Sequence, residues 1–198
     1  MSRVPDAGPI PEVIDVATIV QRTMNGDSSA FELLIMRYER RVIGLAMKLL
    51  AEPDDARDAA QEVFLRVYKY LHRLDLQRPF EPWLMRVTVN VCRDIGRKRQ
   101  ERRALFSNVE TAEPMACAAS GNPHHEMIVE EERRMLRQAL ARLSETERFA
   151  IVLRDIEGLA TAEVAAILES SATTVRSQIS RGRVRLKNAI EEMMGGRR

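Results

Sequence analysis

Arg176, Ser177, Ser180 and Arg181 share one face of any helix drawn through them, because residues three and four apart stack one above the other. Guanidinium and hydroxyl groups gathered on one face suit the base edges and phosphates of a major groove. Val175, Ile179 and Leu186 recur at helical spacing on another face and can turn to a core. A second group, Asp54, Asp58 and Glu62, lies at i, i+4 and i+8 and lines one helical face with carboxylates. That acidic face has three readings: a divalent-cation site, a solvated surface, or a dock for a basic partner. Metal ligation usually draws ligands from several segments, which sets the first reading behind the other two. The spacing does not separate those two.

A third group, Cys117 with His124 and His125, offers three potential metal ligands in a loose segment, and no metal or other cofactor is expected from it. Cys92 and Cys117 form no CxxC pair and read as reduced thiols. No Ser-His-Asp set, nucleophilic cysteine or phosphate-cradling glycine loop is present, so no catalytic activity is expected. The 198 residues are 45% hydrophobic and 30% charged, enough for a core and too apolar for long disorder. Aromatic residues make up only 5%, which disfavours a β-rich fold. No apolar run approaches a membrane span and no signal peptide opens the chain, so a cytoplasmic protein without membrane insertion is expected. The net charge of +2 hides a segregation of charges, and local fields govern nucleic-acid binding more than the total does.

The elements that must hold these groups are helical throughout. Residues 1–11, with Pro5, Gly8, Pro9 and Pro11, read as a flexible leader, and Glu12 to Met24 as a short helix. Asp27 is placed to cap a helix from Ser28 to about Leu50, whose stripe is Phe31, Leu34, Ile35, Tyr38, Val42, Leu45 and Leu49. A third helix from about Asp55 to Leu71 buries Ala56, Ala60, Val63, Val67 and Leu71. His72 to Glu81 reads as a loop, with Pro82 in the first turn of the next helix. That helix turns Leu84, Val87, Val91 and Ile95 inward and runs into a segment, Arg93 to Arg103, with six basic residues against two acidic ones. So dense a run reads as an electrostatic footprint for phosphate. Trp83, beside Phe80 and Pro82, is either a core residue or a stacking platform for an unpaired base.

Residues 105–125 lose periodicity and gather small residues, polar residues and Pro114 and Pro123, as an interdomain linker does. A second helical block follows. Met127 to Arg142 turns Ile128, Met135, Leu136, Ala139 and Leu140 inward, and Ser144 to Glu147 forms a capping box before Ile151, Val152 and Ile156. Gly158 is a natural helix stop. Thr161 to Leu168 is a short helix, Glu169 to Ala172 a polar break, and Thr173 to Lys187 a basic helix. Short helix, tight turn and basic helix make the helix-turn-helix pattern. The expected fold is therefore all-α, two small helical domains joined by a flexible linker, the second a helix-turn-helix.

Specific residues also carry a resemblance. In the first block they are Gly26-Asp27, Ala30-Phe31, Asp55-Ala56-Arg57-Asp58, Gln61-Glu62-Val63-Phe64, Phe80, Trp83-Leu84, Asn90, Asp94 and Arg97. In the second they are Leu143, Arg148, Glu157-Gly158-Leu159, Glu163-Val164-Ala165, Leu168, Val175-Arg176-Ser177, Arg181-Gly182-Arg183 and Leu186. In order and spacing the chain resembles the extracytoplasmic-function (ECF) family of bacterial RNA polymerase sigma factors. The resemblance implies domains at 24–104 and 127–194, an N-terminal extension at 1–23 and a linker at 105–126. It implies that Asp55, Asp58, Gln61 and Glu62 contact the clamp of RNA polymerase core, which favours the protein-docking reading of the acidic face. It implies that Phe80, Asn90, Arg93 and Arg97 meet the −10 element, and that the loop at His72 to Glu81 holds a flipped −10 base. Thr174, Arg176, Ser177, Ser180 and Arg181 would read the −35 element. An anti-sigma factor would hold such a protein inactive.

The family's proline and glycine before the recognition helix are Ser171 and Thr173 here, and its turn glycine is Glu169. Two other readings compete: a dimeric operator-binding regulator, for which no dimer seam is evident, and a metal-dependent nucleic-acid enzyme built on Asp54, Asp58 and Glu62. The resemblance implies a non-catalytic initiation factor that brings polymerase core to particular promoters and helps melt them.

Overall fold

The computed structural model describes residues 15–105 and 123–195, and every regular element among them is helical. The leader, Cys117 and most of the expected linker lie outside the described residues, as do the side chains of His124, His125 and Ile128.

Helix α1 (Val16–Met24) buries Ile19, Val20 and Thr23, whose hydroxyl donates to the Ile19 carbonyl at 2.9 Å. Gly26, at φ +89°, makes the turn that follows, a backbone conformation free of steric cost only for glycine. Asp27 then caps α2 (Ser28–Leu50) as expected, accepting from the Ala30 amide at 3.1 Å. Its carboxyl is held far below the ordinary range by the Ser29 hydroxyl, the Arg22 guanidinium and that amide.

Helix α3 (Pro53–Tyr70) starts earlier than the expected Asp55, because Pro53 takes the first helical position where its missing N–H is no loss. Ala56, Ala59, Ala60, Val63, Phe64 and Val67 form its buried stripe. The expected loop is shorter than the sequence suggests. Leu71–Arg73 is a 3₁₀ turn, and α4 (Phe80–Leu105) begins at Phe80, with Pro82 in its first turn. Between them Asp75 closes a tight turn, accepting from the Gln77 amide at 3.0 Å.

In the second block, α5 (Pro123–Ala141) also begins ahead of the expected Met127, again at a proline. Ser144 and Glu147 form the expected capping box at α6 (Glu145–Ile151). The helix then widens into a π-helical turn, Val152–Ile156, which the periodicity did not announce. Gly158, at φ +77°, ends it, and Arg154 steadies the exit by donating to the Leu159 carbonyl at 3.0 Å. Helices α7 (Thr161–Ile167) and α8 (Ala172–Gly195) complete the helix-turn-helix.

Helices α1 to α4 pack as one bundle, and α5, α6 and α7 gather around α8 as another. The two meet where α2 and α4 face α5 and α6. The seam carries charge: Lys48 Nζ lies 2.8 Å from Glu157 Oε1, and a Cβ on Gly96 would come 3.4 Å from Glu145 Oε1. Arg148 is largely buried there, with its Nε lacking a partner among the described residues, and burial pushes its basicity down. Cys92 is fully buried nearby, and burial pushes its thiol up to about 12.

Candidate nucleic-acid and polymerase interfaces

Helix α8 owes its position to its start and to its buried face. Ser171 caps it, with its hydroxyl accepting from the Thr174 amide at 3.0 Å and lying 2.8 Å from the Thr174 hydroxyl. Serine is thus the working cap at the place where the family often has proline. The turn before it needs a left-handed residue, and Glu169 supplies it at φ +53° without being glycine. Val175, Ile179, Gly182 and Ala189 are buried against the bundle.

That orientation leaves Thr174, Arg176, Ser177, Ser180 and Arg181 exposed. All five predicted residues lie on the outward part of the helix, although the Thr174 hydroxyl is shared with the cap. Arg176 makes no ion pair among the described residues, whereas Arg181 Nε lies 3.8 Å from the buried Glu147 carboxylate. Val184, 59% exposed, extends the same stripe, one turn beyond Ser180. Arg183 lies differently: it grips Asp155 through Nε at 2.9 Å and Nη2 at 2.6 Å. Those bonds hold the Asp155 carboxyl below its ordinary range.

On α4 the predicted residues divide. Asn90 and Arg93 are half-buried and Arg97 is exposed, with only long contacts to Asp94 at 3.9 Å and Glu101 at 4.0 Å. Phe80 is instead a core residue, 6% exposed, its ring 5.3 Å from Tyr38 and 5.8 Å from Trp83. Trp83 is half-buried above it. Arg86, exposed and four residues before Asn90, joins Arg93 and Arg97 in a basic stripe that the sequence reading missed. Its signal was present, a third cation at helical spacing. Arg99 leaves the stripe, held by Glu52 at 2.7 Å and Asp55 at 3.0 Å.

The acidic face of α3 divides as well. Asp58 and Gln61 are exposed. Asp55 is turned to Arg99, and Glu62 to Arg66 at 2.7 Å, which also reaches Asp94 of α4 at 3.0 Å. Asp54 is engaged by Arg57 at 2.7 Å. Among the described residues no three His, Cys, Asp or Glu side chains converge on a metal position. What the sequence did not reveal is apolar: Leu65 and Tyr68 are 66% and 65% exposed beside the carboxylates, with the Tyr68 ring tilted against Phe31 at 5.1 Å. A shallow depression of about 380 Å³ runs alongside, lined by Glu62, Leu65, Arg66, Lys69 and Tyr70. Exposed leucine and tyrosine next to charge mark a docking face better than a solvated one.

Comparison with known proteins assigns both halves. The sigma-70 region 2 model matches residues 34–103 and the sigma-70 region 4 model residues 133–186. The ECF RNA polymerase sigma-E factor of Escherichia coli (strain K12) is 32% identical over 182 residues, covering 89% of this chain and 94% of its own. The chain belongs to the ECF family of RNA polymerase sigma factors. The RNA polymerase sigma-H factor of Pseudomonas aeruginosa is 28% identical to this sigma factor over 181 residues, with 89% and 94% covered.

Solved structures share the fold. The sigma factor RpoE of Bartonella quintana, solved with the anti-sigma factor NepR, superposes with a TM-score of 0.64 at 22% identity, over 81% of this chain and 96% of that one. CnrH, solved with the cytosolic domain of CnrY, gives 0.61 at 23% identity, over 90% and 99%. Among the described residues of this sigma factor no helix is long and apolar enough to cross a membrane.

Proposed function

We propose that this sigma factor binds RNA polymerase core through α3 and directs it to promoters whose −35 element is read by α8 and whose −10 element is opened along α4. The observation that carries the reading is the exposed face of α8, where Arg176, Ser177 and Ser180 point outward on a capped helix of a helix-turn-helix. On α4, half-buried Trp83, packed against buried Phe80, is the aromatic ring available to an unstacked base, and Arg86, Asn90, Arg93 and Arg97 follow the strand from there. Phe80 supports that platform from beneath. Unstacking a base costs a few kcal/mol, roughly what stacking on an aromatic ring returns.

For core binding, Asp58, Gln61, Leu65 and Tyr68 form the contact face, while Asp55 and Glu62 steady α3 against α4. We place the domains at residues 24–104 and 127–194, with α5 beginning inside the linker's tail. The protein acts in the cytoplasm, without catalysis of its own. Control by an anti-sigma factor is part of the proposal, supported by the RpoE neighbour having been solved with one.

The division of labour is tested with two variants. Arg176→Ala should lower discrimination between promoter and scrambled duplex about tenfold, within the ~1–3 kcal/mol of a good base contact, with core binding retained. Leu65→Ala should weaken core binding in a pull-down and leave promoter preference unchanged in the holoenzyme that still forms. Loss of both functions in both variants would contradict the assignment.

A further inference from the structure

Glu147 is a carboxylate only 4% exposed at the first turn of α6, in contact with α8. Capping accounts for part of its bonding: Oε2 accepts from the Ser144 hydroxyl at 2.8 Å and from the Ser144 amide at 3.3 Å. The same oxygen accepts from Arg185 Nη1 at 2.8 Å, and Oε1 lies 3.8 Å from Arg181 Nε. Between these two arginines sits Gly182. A Cβ there would come within 2.8 Å of Ile151 Cγ1 and 3.4 Å of Glu147 Cβ, so the α8 backbone rides directly on α6. Arg183, the next residue, is fixed to Asp155.

Burial alone would favour the neutral acid, but the Ser144 hydroxyl and amide and the Arg185 guanidinium outweigh it and hold the Glu147 carboxyl below its ordinary range. A buried carboxylate that loses its cation becomes an uncompensated charge, so Arg185 is not readily released to a phosphate. Of the five basic residues of α8, Arg183 and Arg185 are the two held closest to carboxylates of the fold, at 2.6 and 2.8 Å.

We infer that Glu147 is a positioning residue for promoter reading. It keeps Arg185 committed to the α6–α8 contact and tethers Arg181, so that α8 meets DNA with Arg176 and an oriented Arg181 rather than a diffuse cationic stripe. This inference rests on α8 being the −35 helix. It implies a shallow salt dependence for the α8 contribution and a high ratio of specific to non-specific binding.

The test uses the full chain assembled with core polymerase, a duplex recovered by that holoenzyme from a random-sequence library, and a scrambled duplex of equal length. Affinity for both is followed through a KCl series. Glu147→Gln keeps the size and the capping amide but removes the charge. Its salt slope should steepen by about 0.9 for each arginine released to a phosphate, and its preference for the recovered duplex should fall about tenfold. Arg185→Met should leave the slope at the wild-type value. Were Arg185 a phosphate contact, Arg185→Met would flatten the slope by about 0.9, a result that overturns the inference. An unchanged slope and preference in a folded Glu147→Gln protein overturns it too. Where circular dichroism shows that Glu147→Gln does not fold, the Arg185→Met slope decides alone. Arg176→Ala separates the two levels: with no effect on slope or preference, the −35 reading itself fails.

Discussion

Glu169 carries a left-handed backbone at φ +53° with a full side chain, at the turn of the helix-turn-helix. An L-residue there costs roughly 1–2 kcal/mol, partly offset by the lower chain entropy it loses on folding relative to glycine. Glu169→Gly should therefore raise stability by up to about 1 kcal/mol, read as a higher urea midpoint at unchanged m-value. A lower midpoint would show that the Glu169 side chain contributes more than its backbone strain removes. Cys92 supports a second expectation at this scale. Fully buried and pushed up to about 12, it holds almost no thiolate near neutral pH. Its labelling by a thiol reagent should follow unfolding, and rapid labelling of the native protein would contradict its placement.

At the scale of elements, the packing of α8 on α6 and on the π-helical turn is set by Gly182 and by the carboxylates of Glu147 and Asp155. Gly182→Ala would drive a methyl group to 2.8 Å from Ile151 Cγ1. Overpacking of this kind costs about 1–3 kcal/mol, against roughly 1 kcal/mol gained in helix propensity, so a net loss of about 1 kcal/mol is expected in thermal unfolding. Acid tests the ion pairs. Glu147 and Asp155 both have folded pKa values below their unfolded ones. Their contribution is then complete above the unfolded carboxylate range, about pH 4, and is lost as pH falls through the folded values. Asp155→Asn should flatten the acid limb of a plot of Tm against pH, and an unchanged limb would show that the Asp155–Arg183 pair contributes nothing to stability.

Much of this was legible in the chain because it is local. The apolar stripes of α2 and α3, the Asp27 cap, the Ser144 capping box and the Gly158 stop depend on neighbours within a turn or two, so spacing alone reveals them. The rest is set across the fold. Asp55 is taken from the acidic face by Arg99, 44 positions away, and Phe80 is buried by Tyr38 of another helix. Whether Leu65 and Tyr68 are covered depends on which helices border α3. No periodicity encodes those choices.

At the scale of the whole molecule, the proposed reading of a −35 and a −10 element requires the two docked bundles to part. The −35 and −10 elements are centred about 25 base pairs apart, or about 85 Å of duplex at about 3.4 Å per pair. A compact chain of this length has a radius of gyration of about 16 Å, so docked bundles cannot hold both elements at once. The seam includes charge contacts that salt can weaken, Lys48 with Glu157 and the imperfectly bonded Arg148. Small-angle scattering should show the radius of gyration rising with salt and rising further in Lys48→Ala. A compact, salt-independent radius in both proteins would contradict a parting seam.

The central claim is tested most directly by transcription reconstituted from purified parts: core polymerase, this sigma factor and a random-promoter template library. We expect association with core and new RNA start sites that appear only when the protein is present. Their upstream sequences should share two elements at fixed spacing, and the −35 one should blur in Arg176→Ala. Tight binding to duplex DNA with no association with core and no start sites would contradict the claim and leave a conventional DNA-binding regulator in its place.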